Sequence, residues 1–459
     1  MNHGLSLPPQ VRARPRHFRA LLDRRRSVAM FEEFAAEQPD AMIVRIARRR
    51  FWLLTDPALV RGVLVDSGRC VGKGEGLRLA SRLLGNGILT NDDPVSHKRN
   101  RRLINPAFST ARLRAYSAIM VEAAERAGAR WRAGQVFDVT DEMARITLDV
   151  VGRSLLGDET DRDAKAITDS LDVAIKRFGL GFLPMSEKIF DSRLPSSVKI
   201  REAIATIRAT VERIVSDHLR DREPRPDIVG TLLTASVDGE QLSSGQVQDE
   251  TITLMLAGFE TTANALAWAW WLLDQSPETA VRLRREIDDV LGDGRATYDD
   301  LSRLPYATAV IAETLRLRPP AWMLEREVRE PTVIGTYVAP AGATILMSPW
   351  LLHHDSRSWG PDVGAFRPQR WLGPDGGFDP GAPGQPRGAY LPFGAGSRIC
   401  IGENFAWAEA VLVLVTLARH WTLATEPGQE VGTWAAVTLR PYPGIMMRAT
   451  PAPAPATLA

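Results

Sequence analysis

Residues 41 to 55, AMIVRIARRRFWLLT, alternate apolar and polar positions well enough to predict a pair of strands. Beyond about residue 57 the period changes. VEAAERAGARWRAG, IREAIATIRATVERIVSDHLRD and PETAVRLRREIDDVLG repeat apolar residues at helical spacing and leave charges on the outer face. That spacing predicts amphipathic helices, and most segments up to about residue 320 read the same way. From about 319 to 400 Pro, Gly and Trp become frequent. There TVIGTYVAPAGATILMS predicts short strands with a turn at Ala341-Gly342, and 360 to 398 reads as a long irregular connection. Connections of that length in compact domains are usually functional or disordered. A last apolar helix follows in GENFAWAEAVLVLVTLARHW. The pattern predicts a mainly α fold with small β-sheets, an α-rich large lobe plus a small β-rich lobe. One domain is expected over 1–450, with 451–459 a disordered Pro/Ala tail.

Composition narrows the function. The chain has 459 residues, 44% hydrophobic and 24% charged, ordinary for a soluble globular protein. A net charge of +2 argues against a general nucleic-acid binder. The two cysteines are far apart in sequence and fit a reducing cytoplasm. The N-terminus has no apolar core of a signal peptide, and no run of about 18 apolar residues predicts a membrane anchor.

Two stretches carry chemistry. FGAGSRICIG, residues 393 to 402, sets Cys400 among Gly394, Gly396 and Gly402, with Arg398 two residues before it. Cys400 stands just ahead of a helix, where backbone N–H groups and a nearby cation favour a thiolate. Glycines let the backbone approach something bulky, Phe393 can cover it, and Arg398 offers a guanidinium to carboxylates. A flat acidic ligand held through sulfur meets these demands, and haem is one. A buried structural cysteine in a Gly-rich loop is the plain alternative, and it is our reading of Cys70. The second stretch is AGFETT, residues 257 to 262, inside a long helical pattern whose start is marked by a capping box at Ser243 and Gln246. Gly, paired Thr and a charged Glu260 are each unfavourable there. The Thr261 hydroxyl is placed to bond the Ala257 carbonyl and bend the helix. The alternative is a helix packed through small residues with Glu260 at a surface edge.

These residues resemble the cytochrome P450 family. Phe393, Gly396, Arg398, Cys400 and Gly402 match its haem-binding loop, and AGFETT matches its oxygen-activating helix. Glu313 and Arg316, with Arg370 in AFRPQRW, match its buried Glu-x-x-Arg network. The resemblance runs from about residue 40 to 448, although the Pro-rich entry segment is poorly developed. It implies haem b with Cys400 as axial ligand of the iron. It also implies Phe393 at the haem, and His97, Arg101, Arg326 and Arg398 toward the propionates. Glu260 and Thr261 would relay protons to dioxygen, and Thr262 would support them. LEREVRE, which holds Arg326, reads equally as an exposed charged strand. Glu142/Arg145 and Glu159/Arg162 repeat the Glu-x-x-Arg spacing and read as surface pairs, and His353 and His354 are assigned no role.

The implied activity is a monooxygenase that hydroxylates a C–H bond of a hydrophobic small molecule such as a terpenoid, fatty acid or polyketide. With no dinucleotide fingerprint and no flavin domain, electrons from NAD(P)H would arrive through ferredoxin and ferredoxin reductase. Arg99, Arg102, Arg387 and Arg398 are candidates for the docking face. Pocket walls are expected in 83–92, 177–185, 320–324, Leu254, Ala257 and 437–439. A peroxide-driven enzyme and a non-catalytic haem sensor are the rival readings.

Overall fold

The alternating stretch near the N-terminus forms a hairpin. β2 (Ala41–Ile46) and β3 (Arg49–Leu54) pair antiparallel, with Val44 opposite Phe51, and β1 (Gln10–Arg12) joins β2 in parallel. The computed structural model describes residues 6–46, 49–157, 194–382 and 388–453, together with 170, 192, 385 and 386. The hairpin and β1 make half of a six-stranded sheet. Its other members are β4 (Val71–Lys73), β6 (Leu324–Val328) and β9 (Thr344–Met347), in the order β1-β2-β3-β9-β6-β4. β5 (Val136–Asp138) pairs with β13 (Met446–Pro451), which also pairs with β10 (Trp421–Thr425). Two small ribbons complete the strands: β7 (Thr332–Ile334) with β8 (Tyr337–Ala339), and β11 (Gly432–Ala435) with β12 (Leu439–Tyr442). The turn at Ala341-Gly342 is present, with Gly342 at φ +80°.

The helices that frame the site are α1 (Glu75–Leu84), α2 (Pro94–Ile104), α3 (Thr110–Arg130), α4 (Val139–Leu156), α5 (Pro195–Arg220), α6 (Ser244–Asp274), α7 (Pro305–Leu317) and α8 (Glu403–Ala418). α6 starts as predicted. Ser243 Oγ accepts the Gln246 N–H at 3.2 Å, and Gln246 Oε1 accepts the Ser243 N–H at 2.9 Å. α6 and α8 are both largely buried and pack on each other, and with α3 and α4 they enclose the largest apolar core. Burial of this core supplies the main driving force.

Glu313 and Arg316 on α7 are fully buried. The Glu313 carboxylate accepts Arg316 Nε and Nη2 (2.8 Å each), Arg370 Nε (2.9 Å), Trp371 Nε1 (2.9 Å) and the Arg367 N–H (3.1 Å). Arg316 spends its remaining donors on the carbonyls of His353, Val363 and Ala365. The irregular chain from 363 to 371 is therefore pinned by one buried carboxylate and its arginine. His353, given no role from sequence, belongs to this frame. It is fully buried, with Nδ1 against the Arg316 carbonyl (3.1 Å) and Nε2 accepting the Leu391 N–H (2.9 Å).

Two sequence expectations need correction. Glu142 is not on the surface: it is buried and accepts Trp131 Nε1 (3.1 Å) as well as Arg145 Nη1 (2.8 Å). At the C-terminus β13 runs to Pro451, and the Ala452 N–H still reaches the His420 carbonyl. Glu159 and Arg162 lie outside the described residues.

Removing one member of a buried ionic network leaves the others charged and unpaired. Glu313→Ala is expected to cost roughly 3–5 kcal/mol in chemical unfolding. A loss below 1 kcal/mol would mean that the network does not frame the chain.

Candidate functional site

The cysteine loop sits where the irregular chain meets α8. Cys400 donates its N–H to the Phe393 carbonyl (3.0 Å), and the Gly402 N–H points at its sulfur. Gly396 has φ +74°, and a Cβ there would collide with the Leu64 carbonyl, so the loop lies flat on the 62–66 turn because this residue is glycine. Phe393 rests on Trp407 of α8, with ring centroids 5.8 Å apart. The Cys400 side chain is exposed although protein surrounds it on most sides. Both are true of a side chain on the wall of an internal cavity. Burial pushes its thiol up, opposed by the Gly402 N–H and the Arg101 charge. Coordination to a metal removes such a proton outright.

The same cavity gathers cations. His97 and Arg101 lie one turn apart on α2, Arg398 is in the cysteine loop, and Arg326 is on β6. All four come together, and a fifth joins them that sequence reasoning passed over. Lys73 on β4 is the direct cross-strand neighbour of Arg326, and both are buried. Like charges directly opposite on paired strands destabilise a sheet. Burial and then the Arg326 and Arg398 charges push Lys73 well below the ordinary lysine range. Burial, then Arg398, Lys73, Arg101 and Arg326, push His97 down to about 3. Burial and Arg398 push Arg326 to about 10. Asp92 acts on Lys73, Arg326 and Arg398, and it is engaged by the Lys73 N–H and by Arg329 Nη2 (2.9 Å). This excess of buried positive charge fits a ligand with two carboxylates, and with the Cys400 sulfur on the same cavity it fits a haem. The only hint of Lys73 in the sequence is its place between two glycines in VGKGEG.

On α6 the expected back-bond forms, and a second stands beside it. Thr261 Oγ1 donates to the Ala257 carbonyl at 2.8 Å, and Thr262 Oγ1 to the Gly258 carbonyl at 3.3 Å. Ala257 is exposed in the middle of an otherwise buried helix, which marks an opening there. Glu260 is not at a surface edge. It is buried and held by Arg440 of β12, whose Nη2 lies 2.6 Å from Oε1, and by the Thr438 hydroxyl. Asn264 Nδ2 reaches the same Thr438 oxygen at 3.4 Å. Sequence reasoning placed 437–439 in the pocket wall and missed Arg440, which lies just beyond it.

Residues 83–92 form a strap between the two sides. The Asn86 N–H donates to Asp249 Oδ2 (2.8 Å) and the Ile88 N–H to Glu250 Oε2 (2.7 Å), both on the first turns of α6. Arg208 of α5 reaches Asp249 Oδ1 (3.2 Å) and the Leu83 carbonyl (3.3 Å). At the other end Arg398 donates to the carbonyls of Asn91 (2.8 Å) and Asp92 (3.1 Å). Gly87 lies so close to α6 that a Cβ would strike Thr253 Oγ1. The segment 177–185 and Arg387 lie outside the described residues. Arg99 and Arg102 face acids, Glu240 at 3.7 Å and Asp238 at 3.0 Å, so their charge is partly compensated.

Two tests follow from these contacts. Lys73→Met is expected to leave the fold intact and to speed haem loss to a scavenging protein several-fold; unchanged loss would remove Lys73 from the site. Glu250 is fully buried, and burial pushes its carboxyl up to about 7 from 4.5. Its carboxylate is disfavoured in the folded chain, so it contributes a fall in stability as pH rises from 4.5 through 7. Glu250→Gln keeps an acceptor for Ile88 and is expected to remove that slope, worth up to about 3 kcal/mol, in unfolding measured against pH.

The comparisons agree with this geometry. The family model for Cytochrome P450 matches residues 15–447. Cyclooctatin synthase of Streptomyces melanosporofaciens is 34% identical over 91% of this chain and 89% of its own length. Cyclooctat-9-en-7-ol 5-monooxygenase of the same organism is 35% identical over 86% of each. Pentalenene oxygenase of Streptomyces avermitilis is 32% identical over 94% of this chain and 91% of its own. No helix among the described residues is long and apolar enough to cross a membrane. The cluster of buried cations near the Cys400 loop and a match along nearly the whole chain lead to one statement: the chain belongs to the cytochrome P450 family of monooxygenases.

Proposed function

We propose that this protein hydroxylates a C–H bond of a cyclic, sparsely functionalised hydrocarbon such as a terpenoid, working in the cytoplasm as one domain with electrons passed from NAD(P)H by ferredoxin reductase and ferredoxin. The observation that carries the reading is the exposed Cys400 sulfur beside Arg101 and the Gly402 N–H, in one fold with an α6 whose Ala257 is exposed and accepts the Thr261 hydroxyl. Bound through the Cys400 thiolate, haem b supplies dioxygen activation, and the thiolate favours O–O cleavage. Lys73, His97, Arg101, Arg326 and Arg398 would hold its carboxylates, and Phe393 would pack against it.

The chain's own part is to seat the substrate, exclude water and deliver protons. Thr261, bonded back to Ala257, keeps a groove open in α6 and presents a hydroxyl to it. Glu260, one residue away, is the acid that replenishes that hydroxyl. Arg440 and Thr438 hold its side chain, so it must release Arg440 to carry a proton inward. For the substrate, Leu254, Ala257 and Val437 offer apolar surface, and the names of the three relatives favour a ring hydrocarbon or its alcohol. The paired state of Arg99 and Arg102 makes them weak choices for the ferredoxin face. No described observation favours a peroxide-driven or sensing role.

The reduced protein with carbon monoxide is expected to show the long-wavelength Soret band of thiolate ligation, lost in Cys400→Ala. Thr261→Ala is expected to keep that band and the substrate-induced spin shift while diverting most reducing equivalents to peroxide or water. Product formation undiminished in Thr261→Ala, or turnover supported by peroxide as well as by ferredoxin, would sink the proton-relay reading.

A further inference from the structure

The C-terminal end of α5 carries a histidine whose two ring nitrogens both face acceptors. His218 Nδ1 lies 2.8 Å from the Ile214 carbonyl one turn back, and Nε2 lies 2.9 Å from Asp227 Oδ2. Both side chains are almost wholly buried. A carbonyl only accepts, so Nδ1 carries a hydrogen, and Nε2 shares one further proton with the Asp227 carboxylate. A neutral ring has a single N–H and keeps only one of these two bonds. Asp227 is fixed from its own side. Its Oδ1 accepts the Gly230 N–H (2.7 Å) and caps the short helix Ile228–Thr234, and its backbone carbonyl accepts the Thr231 hydroxyl (2.9 Å). The pair therefore fastens the end of α5 to that helix. The end of α4 closes over the same acid: a Cβ on Gly157 would meet Asp227 Oδ2 at 3.2 Å.

The other charged groups around the ring, among the described residues, are few. Arg225 opposes its charge and is itself engaged by Asp221. Asp217, beside His218 on α5, pairs with Arg213 (3.3 Å) and Arg220 (2.8 Å). From α3, Arg112 donates to the Pro226 carbonyl (3.1 Å), and Tyr116 stands on the Asp227 side. On α6 the acid that meets α5 is Asp249, held by Arg208 ten residues before His218. The short helix adds no charge of its own, and α4 offers Gly157. Burial disfavours the imidazolium, the Asp227 bond and charge favour it, and the balance raises the ring above the ordinary 6.5. A raised value means that the pair stabilises the fold fully below 6.5 and that this contribution is lost as pH climbs through the folded value.

We propose that the His218–Asp227 pair is a proton-operated latch on α5, closed while the imidazole is doubly protonated and released when it gives the shared proton to solvent. α5 also carries Arg208, whose guanidinium holds the 83–92 strap at the Leu83 carbonyl and at Asp249. An unlatched α5 loosens that anchor, and the cavity exchanges apolar guests faster at alkaline pH. The proton is the only atom transferred. The latch is independent of the substrate and the electron route proposed above.

The test uses the haem-loaded protein, reduced and bound to carbon monoxide so that it is diamagnetic, with its histidines labelled with nitrogen-15. Long-range proton–nitrogen NMR is expected to show one histidine, missing in His218→Gln, with both ring nitrogens protonated at pH 7 and a midpoint above 6.5. Asp227→Asn offers an amide donor to Nε2 and still caps Gly230, so a neutral ring keeps both bonds; its His218 is expected to be neutral at pH 7. The functional readout is release of 4-phenylimidazole, an apolar guest that binds haem iron, followed in the Soret band. Release is expected to quicken several-fold as pH rises through the wild-type midpoint, to be fast at every pH in His218→Gln, and to stay slow from pH 7 upward in Asp227→Asn. A singly protonated His218 in the wild type at pH 7 overturns the charged pair. Wild-type release indifferent to pH, or release that still quickens with pH in Asp227→Asn, overturns the latch. Should His218→Gln fail to fold, Asp227→Asn, which keeps each hydrogen bond, decides both points: the ring signal that it moves is His218.

Discussion

The structure is organised around positive charge that it does not neutralise. Lys73, His97, Arg101, Arg326 and Arg398 arrive from two strands, a helix and a loop, and they converge on one cavity. Two of them stand directly opposite on paired strands. Burial and mutual repulsion depress the basicity of Lys73, His97 and Arg326 together, so the arrangement is costly for the protein alone. A dianionic ligand reverses the sign of that cost. Such a ligand would tie the sheet, α2 and the cysteine loop together.

On the other wall the constraint is backbone. A helix of 31 residues crosses the core, and its middle carries residues poorly suited to a helix. Two successive threonines draw on two successive carbonyls. A helix with competing bonds at its middle has little stiffness of its own there and needs support. Support comes from both sides. Arg440 and Thr438 grip Glu260 from the C-terminal ribbon, and α8 packs beneath.

Much of this was legible from sequence because it is local. The capping box at Ser243, the back-bond at Thr261, the hairpin at 41–55 and the Glu313–Arg316 spacing each involve residues within a few turns of one another. What escaped was long-range. Lys73 is a lone lysine until β4 lies against β6, and Arg440 is a strand residue until β12 lies against α6. Glu142 shares the Glu-x-x-Arg spacing of Glu313 yet differs in where the fold folds over it. Burial decided its environment, and Trp131 supplied the partner. Spacing reports which side chains share a face and cannot report what covers that face.

The strap from 83 to 92 is a short beam pinned at both ends. Its pins are the Asn86 and Ile88 amides on the α6 carboxylates and the Asn91 and Asp92 carbonyls on Arg398, with Leu89 and Thr90 between them. Thr90 folds back on the Gly85 carbonyl and shortens the free span further. A beam of this length has no room to swing as a door does. A molecule passing beside it goes by with the beam in place or pulls out a pin. How wide a guest is admitted along this edge is then a mechanical property of anchors that the guest never touches.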